Sequence, residues 1–375
     1  MNSTERHEAR YQRRKQKRLQ KKAQSMAAAD NFDAVFTFDN LYHSYKKCCL
    51  GVGWKASTQR YRVNAIVNVN DTLRQLKEGK FKSRGFYTFI RIERGKERNI
   101  KSVHISERVV QRCLCDYSLI PILSRSFIYD NSACMAGKGI HFAVNRLVCH
   151  LQRHYRKYGK NGYALVFDFS KYFDNIEHKP LKDIIDSEYT DTRLAGLVKQ
   201  LVDDFGDIGL GLGSQISQAC ALRYPNRLDH YIKEVLRIKG YARYMDDGYL
   251  LHESKEYLQK CLSDIKQICG ELGIKLNTKK TQIVKISRGI TFLQRRFVLT
   301  ETGKVIIKPR PRGIVKMRRK LRVFKRKLDA GKMAFADIKT SFVSFKGHLK
   351  HCNAHRIIVR LNALFDKIFY GRYNT

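Results

Sequence analysis

Three aspartates in this chain have the types and settings to do chemistry together. Asp246 and Asp247 sit side by side in Tyr244-Met-Asp-Asp247, and Asp168 ends the continuous apolar run Tyr163-Ala-Leu-Val-Phe167. Nucleotidyl transfer calls for carboxylates on rigid strands: they hold two divalent ions about 4 Å apart, which activate a 3′-hydroxyl and neutralise the leaving pyrophosphate. Magnesium suits such oxygen ligands and keeps places for water and phosphate. An Asp-Asp pair can equally be a plain polar turn, as at Asp203-Asp204, but that pair lacks apolar strands on both sides.

The elements that must position these residues are legible nearby. Gly240 opens a hairpin in which Tyr241-Ala-Arg-Tyr244 runs into a tight turn at Met245-Asp246-Asp247 and Gly248-Tyr-Leu-Leu251 returns. The unbroken apolar character of 163–167 suits a buried strand. Upstream, about Phe32 to Arg60 reads as helical, with Phe38, Leu41, Tyr42 and Tyr45 at helical spacing. Gly85 to Ile100 alternates like a hairpin turning near Gly95, with Arg98 and Lys101 projecting from it. Gly137 and Gly139 flank Lys138 and allow close backbone approach to a ligand. A long amphipathic helix is expected from about Ser217 to Leu236 and another from Lys255 to Leu272, followed by short strands around Val284 and Phe292. From Arg312 the pattern is helical and basic, with Met317, Leu321, Phe324 and Leu328 on one stripe.

A chain of 375 residues can hold one large domain or two to three subdomains. Its 74 Lys and Arg against 34 Asp and Glu give a net charge of +40, more than solubility requires, so the partner should be a polyanion. No apolar run of about 18 residues exists for a membrane span, and no membrane partner is expected. Met1 to Lys22 is basic and helix-forming without the apolar core of a secretory signal, and reads as an exposed arm carrying Arg13-Arg14-Lys15 and Lys17-Arg18. Ten cysteines without a CxxC pair suggest free thiols in a reducing compartment. His348, His351, Cys352 and His355 have no second ligand cluster, so packing or nucleic-acid contact is expected there rather than zinc.

The ordered segments from about Phe38 to Phe365 resemble the motif series of reverse transcriptases. Phe167-Asp-Phe-Ser-Lys-Tyr-Phe-Asp-Asn-Ile176 resembles the family's first palm aspartate and its aromatic pair, and Tyr244-Met-Asp-Asp247 its signature tetrapeptide. Leu276-Asn-Thr-Lys-Lys280-Thr resembles the segment whose lysine assists pyrophosphate departure, and Phe292-Leu-Gln-Arg-Arg-Phe297 the primer grip. The resemblance implies an α+β right-hand polymerase: a basic arm (1–30), fingers (31–160), a palm (161–300, with an insert at about 175–215) and a helical thumb (301–375). It implies an RNA-directed DNA polymerase that uses two Mg2+ ions, or Mn2+, with an RNA template, a DNA or RNA primer and dNTPs. Asp168 and Asp246 would ligand both metals with Asp247 in support and the Phe169 backbone carbonyl as a further ligand. Phe173 would be the steric gate against the ribose 2′-hydroxyl, and Arg98, Lys101 and Lys138 would hold triphosphate or template. Phe292 and Leu293, with Lys316, Arg319 and Arg322 of the basic stripe, would hold the template-primer. Gln294 stands where the family usually has glycine, and Gly248 where an aromatic is more frequent.

Leu212-Gly213-Ser-Gln-Ile-Ser217-Gln218, in place of the commoner Gln-Gly-x-x-x-Ser-Pro, is similar to the diversity-generating retroelement branch. Gly137-Lys-Gly139-Ile-His141 and Ser344-Phe-Lys-Gly-His-Leu-Lys-His351 point the same way, whereas Met135 replaces the usual basic residue. That branch implies cDNA synthesis with low fidelity at template adenines, Leu212 and Gln218 beneath the nascent base pair with Gly213 also at the nucleotide, and a small basic accessory protein. A cytoplasmic, bacterial or phage-encoded enzyme is expected. An antiphage-defence or group II intron-like reverse transcriptase, and a non-catalytic RNA-binding scaffold with a polymerase fold, are the competing readings.

Overall fold

The computed structural model describes residues 3–93 and 95–371; Arg94 of the expected hairpin and the ends of the expected arm and thumb lie outside them. Long helices and three antiparallel sheets make an α+β architecture. The central sheet has the order β4-β5-β3-β6, with β3 at Tyr163–Asp168, β4 at Gly240–Tyr244, β5 at Asp247–His252 and β6 at Gln282–Lys285. Side chains alternate across it with the two-residue period of a strand. Leu165, Phe167, Tyr241 and Leu250 enter the large core shared with helices such as Thr192–Asp203 and Lys255–Glu271. Ala164, Ala242, Tyr249 and Leu251 enter a second core beneath helix Ile140–Tyr158 and the sheet β7 (Ile290–Phe292), β8 (Arg295–Leu299) and β9 (Val305–Pro309).

The hairpin expected at 85–100 is β1 (Tyr87–Glu93) against β2 (Lys96–Ser102). Two helical expectations need correction. The segment from Phe32 to Arg60 is a short turn at Phe32–Val35, a helix Phe38–Cys49 capped by Thr37, and, after a turn through 50–55, a helix Ala56–Val63. The single helix expected from Ser217 to Leu236 is broken at Pro225, whose ring cannot accept helix continuation and which has no amide hydrogen to give. Its pieces are Gln215–Arg223, Asn226–His230 and a π-helical turn Tyr231–Val235.

Helix Ser3–Ala29 carries the basic arm and is exposed over most of its described side chains, with Ala29 buried at its end. Asp30 then accepts hydrogen bonds from Thr190 and Asp191, and Asp191 both caps helix Thr192–Asp203 and accepts from the Phe32 amide. The three helices Pro311–Asp329, Phe335–Lys350 and His355–Tyr370 enclose a separate core around Met317, Leu321, Phe324, Phe342 and Phe365. They join the rest at Asn353, whose amide donates to the Ile307 carbonyl (2.7 Å) while its side-chain oxygen accepts from the Ile307 amide (2.8 Å). All ten cysteines are free. No helix among the described residues is long and apolar enough to cross a membrane.

A buried polar cluster binds the central sheet to the loop before helix Ile140–Tyr158. Asp130 accepts from Arg146 (2.5 Å) and Lys233 (2.8 Å), and His150 is hydrogen-bonded to the Tyr249 hydroxyl (2.9 Å). Burial, reinforced by the Lys233 and Arg146 charges and opposed by Asp130, pushes the His150 pKa down from 6.5 to about 4. The unfolded chain therefore takes up a proton near pH 6.5 that the folded chain refuses until about pH 4. The stability contributed by the neutral ring is complete above the unfolded value and falls by roughly 3 kcal/mol as pH drops through this window. Urea-unfolding midpoints measured from pH 7 to pH 4 should show this decline, and His150→Gln should flatten it.

Candidate active site

The site is assembled by strand register. In the β3–β5 ladder Asp168 lies directly opposite Asp247, and Asp246 occupies the two-residue turn that joins β4 to β5. The turn is fixed from beneath, because the Phe169 amide donates to the Asp246 carbonyl at 3.1 Å. Gly248 is opposite Phe167, and a Cβ there would stand 2.3 Å from the Phe167 ring. The missing aromatic at 248 is thus explained: Phe167 fills that space from the neighbouring strand.

Asp168 is 4% exposed. One of its oxygens accepts from the Asn277 amide group (3.1 Å) and the other from the Lys280 ammonium (2.5 Å), while the Asn277 backbone amide donates to the Asp168 carbonyl (2.8 Å). Burial raises the pKa of Asp246, and the Asp168 charge adds to it. Asp247 is pushed to about 7 by burial and by Asp246 and Asp168. For Lys280 burial acts downward, but the Asp168 hydrogen bond and the surrounding carboxylates outweigh it and hold the ammonium charged. Three desolvated acids beside one lysine leave a net negative site, which a cation or a bound proton must compensate. No three His, Cys, Asp or Glu side chains among the described residues converge into a ready-made metal cage. The hard oxygen donors nevertheless fit Mg2+ or Mn2+ in kind.

Sequence reading missed the groups that hold the turn. Arg243 and Asp229 are both fully buried and form a two-pronged ion pair at 2.8 and 2.6 Å, with the Tyr241 hydroxyl donating to the same carboxylate at 2.5 Å. The remaining Arg243 donors reach the Met245 carbonyl (2.8 Å) and the Leu222 carbonyl (3.0 Å). Met245 sits at φ +56, a conformation that disfavours a side chain of its size, so its carbonyl needs an external hold. The signal available was an arginine inside the apolar strand Tyr241-Ala-Arg-Tyr244, which demands a buried partner.

The other expected site residues are spread over the β1–β2 hairpin, the loops around it, the β7–β8 turn and the C-terminal helices. Arg98 is exposed on β2, and its charge acts on Asp246. Phe173, half-buried, begins the short turn Phe173–Asn175 beyond Phe169, and its carbonyl accepts from the Leu210 amide. Leu212, Gly213 and Gln218 lie together: the Leu212 carbonyl accepts from the Lys101 amide (3.0 Å), and Gly213 and Gln218 line a cavity of about 340 Å³ with Arg112, Cys134 and Met135. Gly213 has φ +108, and a Cβ would press on Ile100 and the Lys101 carbonyl. Two lysines have their heads engaged within the fold, Lys101 on the Phe205 carbonyl and Lys138 on the Tyr129 and Asn131 carbonyls. Phe292 is a core residue packed edge-on against Tyr249 at 5.0 Å, with half-buried Leu293 and exposed Gln294 forming the β7–β8 turn. Both turn residues have positive φ, and Arg310 steadies Gln294 where glycine is the cheaper choice. Lys316, Arg319 and Arg322 are exposed along helix Pro311–Asp329. The His351 and His141 rings lie with their centres 4.1 Å apart and their planes tilted by 52°.

The family model for reverse transcriptase (RNA-dependent DNA polymerase) matches residues 82–296, which include every residue of this carboxylate site. The chain belongs to the reverse transcriptase family. Its mixed helical and antiparallel architecture is the polymerase fold of that family. No curated protein matches the sequence. Among solved structures, apo telomerase from Candida tropicalis is similar at 13% identity and TM-score 0.46, over 66% of this chain and 53% of that one. Telomerase from Candida albicans in complex with a TWJ fragment of telomeric RNA is similar at 12% identity and TM-score 0.48, over 78% and 56%. The chain thus spans little more than half the length of these telomerase structures.

Arg243→Met leaves Asp229 charged and unpaired in the core and should lower stability by about 3–5 kcal/mol in a denaturant melt. The double variant Arg243→Met/Asp229→Leu should recover much of that loss. Primer extension should stay impaired in the double variant, because the Met245 carbonyl remains unheld.

Proposed function

We propose that the chain is an RNA-directed DNA polymerase that extends a DNA or RNA primer on an RNA template with dNTPs. The observation that carries this reading is the register that sets Asp168 opposite Asp247 with Asp246 in the adjoining turn. Two Mg2+ ions, with Mn2+ able to substitute, would be held by Asp168 and Asp246 with support from Asp247 and the Phe169 carbonyl, and would supply an activated 3′-hydroxyl and neutralisation of the leaving pyrophosphate. The chain's own groups do the rest. Lys280, held charged beside Asp168, is the proton donor and charge partner for the departing pyrophosphate. Arg98, on the hairpin facing Asp246, binds the triphosphate. Phe173 closes the sugar site against a 2′-hydroxyl. Lys101 and Lys138 take structural roles first, and their triphosphate contacts require them to leave the carbonyls they now hold.

In this reading the fingers are 31–160, the palm 161–300 with its insert at about 175–215, and the thumb 301–375. The exposed Lys316, Arg319 and Arg322 grip phosphates of the duplex without reading sequence, and Leu293 at the β7–β8 turn supports the primer. The finer assignment is a diversity-generating retroelement enzyme of the bacterial or phage cytoplasm, error-prone at template adenines and working with a small basic accessory protein. It is supported by the Leu212-Gly213-x-x-x-Ser217-Gln218 segment and by the cavity on which Gly213 and Gln218 open.

Primer extension on an RNA template should proceed with Mg2+, stop on chelation, and fall by about a thousandfold in Asp246→Asn, the loss of several kcal/mol of transition-state stabilisation. Extension that survives the substitution would reject the site and leave the scaffold reading. Sequencing the cDNA should show errors concentrated opposite adenines; uniformly low error would remove the diversification role and favour a defence or intron-like enzyme.

A further inference from the structure

At the far end of the central sheet lies a second concave surface. Tyr163 pairs there with His252, at the opposite end of six-residue strands from Asp168 and Asp247, roughly 17 Å away at the rise of a β-strand. The hollow has a volume of about 490 Å³ and is walled by helix Ile140–Tyr158, the turn leading into β4 and the end of β5. Its lining holds Arg153, Lys157, Arg237 and Lys239 against Glu253 alone.

The overall charge of the chain does not account for this imbalance. The groove between helices His178–Glu188 and Thr192–Asp203 balances three lysines with four aspartates, and two of those lysines are closed into ion pairs with Asp203 and Asp186. In the sheet-end hollow Arg153, Arg237 and Lys239 are exposed and make no ion pair among the described residues. Lys157 donates to the Tyr158 hydroxyl at 2.6 Å and lies 4.7 Å from the Tyr158 ring centre, which keeps its ammonium at the rim of the hollow without an ion-pair partner among the described residues. Arg237 is held at φ +50 directly after the π-helical turn, a costly conformation for an arginine.

We propose that this hollow is a second RNA-binding site, which holds the phosphate backbone of a folded RNA segment lying outside the catalytic cleft. Arg153 and Lys157 are one helical turn apart and Arg237 and Lys239 stand on the facing wall, so the positive charge is spread along a track. Such a track fits successive phosphates of a polymer better than a single phosphate. The choice of RNA as the polyanion rests on the polymerase reading.

The test uses the full chain with Arg153→Gln/Lys157→Gln/Lys239→Gln, and two ligands: a short RNA template-primer that fills only the cleft, and the same duplex with a long folded 5′ RNA extension. The variant should bind the long ligand at least tenfold more weakly, with a salt dependence shallower by about two phosphate contacts, while affinity for the short ligand and extension on it stay at the parent level. Arg153→Glu alone, on the exposed helix face, should act in the same direction. Equal losses on both ligands, or no loss on either, would overturn the proposal. Competition of the extra affinity by millimolar inorganic phosphate or dNTP would overturn it in favour of a small-anion site. If the parent protein extended no primer but still showed the variant-sensitive affinity for long RNA, the polymerase reading would fail and the groove would stand.

Discussion

Like charges brought together by strand register are the constraint around which this molecule is arranged. Sliding β3 by one residue against β5 would turn Asp168 away from Asp247 and bring apolar side chains to the wrong faces of the sheet, so both cores vote for the same pairing. The Phe167 ring, seated over Gly248, pins that pairing sterically. Burial of the two sheet faces supplies the free energy that holds three acids in a desolvated corner. Lys280 and Asn277 hydrogen-bond Asp168 directly, whereas Asp246 and Asp247 feel the Lys280 charge only at a distance, too weakly to offset burial and their acidic neighbours.

The Asp229–Arg243 pair belongs to the same arrangement. A buried ion pair adds little net stability, since desolvation offsets much of the attraction. Its contribution lies in direction: a rigid fork anchored on one side by a carboxylate offers its other donors to the Met245 and Leu222 carbonyls, which join the Met245–Asp246 turn to the broken helix behind it. The loop at Asp130 to Ser132 extends this scaffold by pairing with the outer edge of β4 at Arg243.

How much of this could be read from the residues depended on whether a signal was local. β3, β4 and β5 were legible because apolar runs end at Asp or Gly, and the carboxylate trio followed from them. The helix expected through 217–236 failed because apolar side chains continue on one core past Pro225, so periodicity persisted where hydrogen bonding did not. β8 and β9 were overlooked since Arg295 and Arg296 mask the alternation of Phe297 and Leu299, although Arg295 is itself buried. Phe292 looked like a contact residue and proved to be packing, because burial is decided by a partner, Tyr249, that no local pattern announces. Arg243 carried a signal as a cation inside an apolar strand, but its partner Asp229 had none for the same reason.

Asn353 mimics one residue of an additional strand against Ile307 and so blunts the outer edge of the β7–β8–β9 sheet, an edge that would otherwise invite pairing with another chain. The same two hydrogen bonds, together with the His141–His351 ring contact, tether the C-terminal helices to the rest of the molecule. Parting this contact would uncover an adhesive strand edge, so the sheet and the C-terminal helices each protect a surface that the other would otherwise leave bare.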